Sequence, residues 1–405
     1  MKILLCHNHY QQAGGEDQGG QDETRLWQSR GRDVIQYTRH NDEIKTMSRS
    51  KVARQTLWNN DSFNEIRRLL QRQRPDVVHC TNTFPLISPA VYHAVRVEHC
   101  AVVQALHNYR ILCPGGLLLR DGRGCEECVG QRFAWKAIKH RCYRGSLAGS
   151  AVVAAMSATH RAMQTWQQAV DVYYALTEFS RRKFIQGGLP AERLLVKPNF
   201  VERDPLPGEE ADNCAVFVGR LSEEKGIECL LDSWRHVRDS LALKIIGDGP
   251  FAPIVARAAS EFPAIQWLGR KSNEEVLDQI GRARFLVLPS TCYENFPKTI
   301  VEAFAKRVPV IASRHGAMAD IVSHEQTGLL FEPGNAEQLA IHIDRLAADA
   351  PLREALAAAA RKEYEAKYTA DANYDCLMNI YDHARRFAAA RHASPASQPI
   401  LEPSL

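Results

Sequence analysis

Twelve short apolar runs, separated by longer stretches of helical pattern, constrain the fold of this chain more than any other feature. Six precede residue 200: Lys2–Cys6, Asp33–Tyr37, Asp76–Cys80, Ala101–Leu106, Asp171–Leu176 and Leu194–Lys197. Six follow: Ala215–Val218, Leu243–Ile246, Ile265–Leu268, Phe285–Leu288, Pro309–Ala312 and Leu329–Phe331. Strands that alternate with helices must be joined by crossovers, so the expected fold class is α/β with parallel sheets. A chain of 405 residues exceeds one ordinary core, and two domains of roughly 200 residues each are expected.

The break falls at Pro198-Asn199, and Asp204-Pro205-Leu206-Pro207-Gly208-Glu209-Glu210 has the composition of a linker. The expected organisation is a first Rossmann-like domain over 1–200, carrying a Cys-rich loop at 113–142, and a second over 209–370. A terminal helix at 371–392 is expected to pack back on the first domain, and 393–405 to form a frayed tail. Two such sheets face each other across a deep cleft at the carboxyl ends of their strands, where sheets of this kind bind ligands.

Charge is divided between the halves. Residues 1–200 carry 28 Lys and Arg against 17 Asp and Glu, net +11, and residues 201–405 carry 23 against 30, net −7. A basic first domain fits an anionic partner such as nucleic acid or the negative surface of a cytoplasmic leaflet, or simply a solvated charged face. The start Met1-Lys2-Ile3-Leu4-Leu5-Cys6 runs directly into His7-Asn8-His9, and the apolar run from Leu147 to Ala158 is too short to span a bilayer. The expected location is cytoplasmic, peripheral to the inner membrane face, with the eleven cysteines reduced.

Chemistry concentrates in loops after the strands. Gln11-Gln12-Ala13-Gly14-Gly15-Glu16-Asp17 is either a glycine loop for a phosphate or a plain tight turn, and Gly19-Gly20 beyond it suggests flexibility. Gly219-Arg220-Leu221-Ser222-Glu223-Glu224-Lys225-Gly226 brings two cations, Arg220 and Lys225, to the end of a strand, where they suit a diphosphate. Solvation at the surface is the alternative for Arg220. Gly247-Asp248-Gly249-Pro250 shapes a pocket or only closes a turn. Glu294 and Glu302 flank a helix start at which Pro297 is expected to set φ for the first turn. Carboxylates there grip hydroxyls, and free N–H groups favour a diphosphate.

Taken together, Gly219–Gly226, the Gly247–Pro250 turn, and Glu294 with Glu302 and Pro309-Val310-Ile311-Ala312-Ser313 resemble the donor domain of glycosyltransferase family 4. The resemblance spans nearly all of residues 1–385. In the first domain it rests on Gly14-Gly15, Leu106-His107-Asn108-Tyr109-Arg110 and Thr177-Glu178-Phe179-Ser180-Arg181-Arg182. It implies a GT-B fold and transfer of a sugar from a nucleoside-diphosphate sugar with retention of configuration. Glu294 would then hold the sugar hydroxyls, Glu302 the ribose, Arg220 and Lys225 the diphosphate, with the Gly15 backbone closing over it. His107 would sit near the transferred sugar; a buried histidine bonded at a strand end is its alternative. Members that build surface polysaccharides share the text around His107, Cys113-Pro114 and the Arg120-Asp121-Gly122 turn, which implies a saccharide or polyprenyl-diphosphate-linked acceptor.

No Asp-x-Asp occurs in the chain, so no cofactor is expected in the chemistry. Cys113, Cys125, Cys128 and Cys142 have the ligand count of a closed structural zinc site, with free thiols and redox chemistry as alternatives. Arg132, Lys136, Lys139, Arg141 and Arg144, interleaved with Phe133, Trp135 and Tyr143, suit an anionic membrane surface. Nucleic acid is not an expected partner, because no module for it is recognisable. A sugar-nucleotide epimerase or a silent sugar-nucleotide binder on the same fold is the alternative function.

Overall fold

The apolar runs form two sheets of six parallel strands, as crossover connections require. The computed structural model describes residues 1–11, 14–209, 212–238 and 240–393, with side chains to Arg391. Gln12 and Ala13 of the expected glycine loop, Glu210 of the expected linker and residues 394–405 of the expected tail lie outside the described residues.

The first sheet contains β1 (Lys2–His9), β2 (Asp33–His40), β3 (Val77–Asn82) and β4 (Ala101–Leu106). A hairpin of β5 (Leu119–Arg120) and β6 (Arg123–Gly124) stands apart, and β7 (Val172–Ala175) and β8 (Leu194–Val196) complete the sheet. Its order is β2-β1-β3-β4-β7-β8. The central β3 and β4 are buried along their whole length, as helices on both faces demand, whereas the edge strand β2 is mostly uncovered.

The second sheet is built from β9 (Cys214–Val218), β10 (Ala242–Ile246), β11 (Ile265–Gly269), β12 (Phe285–Leu288), β13 (Val310–Ser313) and β14 (Gly328–Phe331). Its order, β11-β10-β9-β12-β13-β14, is the 3-2-1-4-5-6 arrangement of dinucleotide-binding sheets. In each sheet one strand pair marks where the chain reverses its direction of progress, β1 with β3 and β9 with β12. The crevice beyond their carboxyl ends is where such sheets bind ligands.

Three helices close the chain: Ala336–Ala348, Ala350–Lys367 and Ala370–Ala393. The last returns to the first domain, where Leu377, Ile380, Tyr381 and Ala384 share a core with Ile3, Leu5, Val103 and Val172. Its Tyr381 hydroxyl meets His79 Nδ1 at 2.7 Å. Beside that contact, Lys197 Nζ lies 2.6 Å from Glu23, with both side chains out of solvent. Burial alone would raise the Glu23 carboxyl, but the Lys197 ammonium and His79 outweigh it and bring it to about 2.

Candidate active site

At the reversal point of the second sheet, the loop after β9 meets the loop after β12. Gly226 has φ +69°, and a Cβ there would fall 1.9 Å from the Pro289 carbonyl oxygen, so only glycine permits the approach. That approach brings Lys225 onto Glu294, Nζ to Oε1 at 2.6 Å, and the Ser290 hydroxyl donates to the same oxygen at 2.8 Å. Burial pushes the Glu294 carboxyl up, yet Lys225 and Ser290 more than offset it, and its pKa is lowered. For Lys225 burial works downward and Glu294 wins, leaving the ammonium firmly charged. Arg220 is exposed and has no partner among the described residues. Gly247, with φ +142°, packs where a Cβ would fall 1.9 Å from the Gly219 carbonyl oxygen, so it fixes the loop that presents Arg220.

The segment between Glu294 and Glu302 crosses to the first domain. Asn295 Nδ2 donates to the Leu106 carbonyl at 2.8 Å, and Ser180 Oγ donates to Asn295 Oδ1 at 2.8 Å. The helix Lys298–Ala305 follows, with Pro297 outside it at the N-cap, φ −73° and ψ 96°. This corrects the expectation that Pro297 sets the first helical turn: the chain stays extended through Pro297 after Asn295 reaches across the cleft. Lys298 Nζ bonds Asp22 at 2.6 Å, a second bridge between domains. Glu302 is buried; its carboxyl is raised by that burial and by Asp22, against the pull of Lys298.

Across the bridge stand the residues of the first domain. Gly14 and Gly15 open the helix Gly15–Ser29, and a Cβ on either would meet nothing within 4 Å, so their backbone faces open space. Asp17 braces that turn, accepting from Tyr10 N at 3.3 Å and Gly14 N at 3.1 Å while bonding His7 Nε2 at 2.9 Å. His7 Nδ1 in turn meets Thr81 Oγ1 at 2.6 Å. Gly19 and Gly20, expected to be flexible, lie inside the helix. Gly19 rests on the His107 ring, 3.3 Å from where its Cβ would be, and Gly20 beside His7 and Thr81. Their missing side chains let the helix lie close over the strand ends.

His107, directly after β4, is neutral at pH 7. Burial brings it down to about 4, and Lys197 and His79 press the same way against Glu23. Its Nε2 is buried with no hydrogen-bond partner among the described residues, and its ring packs edge-on to Tyr174. The Asn295 bridge thus joins the residue after Glu294 to the residue before His107. Sequence reading missed Ser290, Asn295, Asp22 and Lys298, although Ser290, Asn295 and Lys298 lie within a few residues of Glu294.

The Cys-rich segment forms the outer wall. Gly124 of the hairpin lies against Tyr293, 3.0 Å from ring carbon to the Cβ position, and Lys183 Nζ bonds Glu126 at 2.7 Å. All four cysteines of the segment are free thiols, Cys113 buried and Cys125, Cys128 and Cys142 partly so. Burial, then the nearby Cys113, Cys142 and Cys125, push the Cys128 thiol up to about 11. Among the described residues the group with ligand atoms all within 4.8 Å of one another is His7, His9 and Asp17, and the four cysteines form no such group. The pair of His7 and Asp17 serves as the brace of the glycine turn.

This fold and cleft have counterparts of known structure. Sucrose-phosphate synthase of Thermosynechococcus elongatus aligns over 96% of this chain and 99% of its own, at 16% identity and TM-score 0.69. Anabaena HepE, solved in complex with UDP, aligns over 94% and 100%, at 17% identity and TM-score 0.67. The chain has the GT-B fold, two facing Rossmann-like domains. Within it, residues 200–363 match the family model of glycosyl transferases group 1. An uncharacterized glycosyltransferase of Methanocaldococcus jannaschii is 32% identical over 190 residues, 46% of this chain and 52% of the relative. An amylovoran biosynthesis glycosyltransferase of Erwinia amylovora is 25% identical over 228 residues, 52% of this chain and 56% of the relative. The chain spans about half the length of these curated relatives.

Proposed function

We propose that this protein is a retaining glycosyltransferase that moves a sugar from a nucleoside-diphosphate sugar to a saccharide or lipid-linked saccharide in cell-surface polysaccharide synthesis. The observation that carries the reading is the Lys225–Glu294 pair at the reversal point of the second sheet, one residue from the bridge between Asn295 and Leu106. Lys225, Arg220 and the backbone N–H of Gly15, next to Gly14 whose own N–H is held by Asp17, neutralise charge on the departing diphosphate, without a metal in the chemistry. Glu294 accepts hydrogen bonds from sugar hydroxyls and Glu302 from the ribose. His107 positions the sugar as an uncharged ring. A nucleotide-sugar donor is supported by the structure of HepE with UDP-glucose, and a polysaccharide product by the amylovoran relative.

The membrane partner belongs to the same reading. No helix of the described residues is long and apolar enough to cross a membrane, so contact is proposed at the surface. Phe133, Trp135 and Leu147 are 45%, 53% and 54% exposed, and no Asp or Glu occurs between Glu127 and Asp171. Apolar side chains beside exposed Arg132, Lys139 and Arg141 suit an anionic lipid surface, while Lys136 pairs with Glu127. A structural zinc on Cys113, Cys125, Cys128 and Cys142 is proposed as the staple of this segment, requiring the thiols to rotate together. Elemental analysis of purified protein showing no zinc removes it.

Thermal denaturation with a panel of nucleotide sugars tests the core of the proposal. One donor at about 100 times its Kd stabilises by about 2.7 kcal/mol and is consumed when acceptor is present. A protein that no nucleotide sugar stabilises, and that consumes none, is not a glycosyltransferase.

A further inference from the structure

A carboxylate on the first-domain side of the cleft is left unassigned by the donor site proposed above. Glu16 follows Gly15 in the first turn of its helix, and both of its hydrogen bonds among the described residues end on Oε2. Tyr10 donates its hydroxyl at 2.7 Å and Asn108 its Nδ2 at 3.0 Å. The neighbouring carboxylates are matched differently: Glu294 by Lys225, Asp22 by Lys298, Asp17 by His7. Glu16 is held by a phenol and an amide, which orient it without neutralising it. Burial raises its pKa, against the pull of Tyr10, Asn108, His7 and Arg110.

The surroundings have the make-up of a sugar subsite. Glu16, His107, Asn108, Arg110 and Phe84 line one cavity that runs inward to Trp166. The Arg110 guanidinium lies 4.4 Å over the Phe84 ring and is fixed by a bond from Nη1 to the Pro114 carbonyl at 3.2 Å. Its Nε is buried without a partner among the described residues. Asn108 Oδ1 accepts from the Arg110 backbone N–H at 2.9 Å, so the amide that holds Glu16 is itself fixed in orientation. A flat aromatic and cationic face beside an acceptor-only oxygen is suited to a pyranose ring with its hydroxyl donating.

We infer that Glu16 holds the hydroxyl of the acceptor saccharide in place for attack, with Asn108, Arg110 and Phe84 forming the subsite for the acceptor ring. This rests on the glycosyltransferase reading above. It adds the half of the cleft that the donor site leaves unassigned. No proton leaves the acceptor to Glu16 on this account: the carboxylate accepts a hydrogen bond and aligns the hydroxyl oxygen.

The experiment compares wild type with Glu16→Gln and Glu16→Asp, using as acceptor the octyl glycoside that wild type elongates best from a panel. Glu16→Gln is expected to lower kcat/KM for that glycoside about 10²-fold. Its thermal stabilisation by donor should stay at the wild-type value. Glu16→Asp, which keeps the charge, should fall between the two. Wild-type transfer by Glu16→Gln overturns the inference, and so does parallel loss of donor stabilisation, which would make Glu16 a brace of the glycine turn. Where Glu16→Gln melts far below wild type, an unchanged acceptor KM in Glu16→Asp overturns it instead. A wild type that neither binds a nucleotide sugar nor elongates any glycoside overturns the reading beneath.

Discussion

At the scale of single residues, the Lys225–Glu294 pair makes the sharpest prediction. Lys225→Met leaves Glu294 without its cation in a largely dry position, and Glu294→Gln does the same to Lys225. Breaking such a pair costs about 3–5 kcal/mol. The double variant should lose less than the sum of the singles, with a coupling on the order of 2 kcal/mol, and urea unfolding of the four proteins checks it. Additive losses contradict the pairing. Transfer should fall about 10²–10³-fold in each single variant. Both residues were legible in the sequence because each lies in a short motif beside a strand end. Their contact was not, since the Gly226 backbone on Pro289 is what brings the two loops together. Asn295 was illegible for the same reason, its partner Leu106 lying 189 residues away.

At the scale of elements, the segment between β4 and β7 carries the membrane proposal. Replacing exposed Arg132, Lys139 and Arg141 by Glu should weaken binding to anionic phosphatidylglycerol vesicles by more than about 10²-fold, since each cation near such a surface contributes about 1 kcal/mol. Neutral phosphatidylcholine vesicles should bind both forms weakly. Sedimentation showing equal binding of wild type and the triple variant contradicts the proposal. Apolar runs located all twelve strands of the two sheets, and where both faces are buried, as in β3 and β4, the signal is continuous. The two-residue strands β5 and β6 left only the Arg120-Asp121-Gly122 turn to read. The helix at Lys298 begins one residue later than the proline suggested, for Pro297 suits an extended cap as well as a first turn.

At the scale of the whole molecule, stability should fall in mild acid. His79, His93, His107 and His160 are each brought down to about 4 by burial, whereas the unfolded chain protonates them near 6.5. Their contribution is fully present above pH 6.5 and is lost as pH falls toward 4, because the unfolded chain then binds protons that the folded one refuses. Asp171, raised to about 6 by burial against Arg391, works the opposite way, as do Glu16 and Glu302, whose carboxyls burial also raises, and the four imidazoles are set against these three. The urea midpoint at pH 5 should therefore lie below that at pH 7.5, and a higher one contradicts this account. Local sequence was enough for two parallel α/β sheets, the basic first half and the motifs from which a donor site is proposed, because strand burial and loop composition are local properties. How Ala370–Ala393 packs on the first domain, that the charge of Asp22 acts on Glu302, and that Glu16 shares a cavity with His107 came from the packed fold alone. Those contacts join positions far apart in the chain, and crossovers and domain facing set them, leaving no mark in any local pattern.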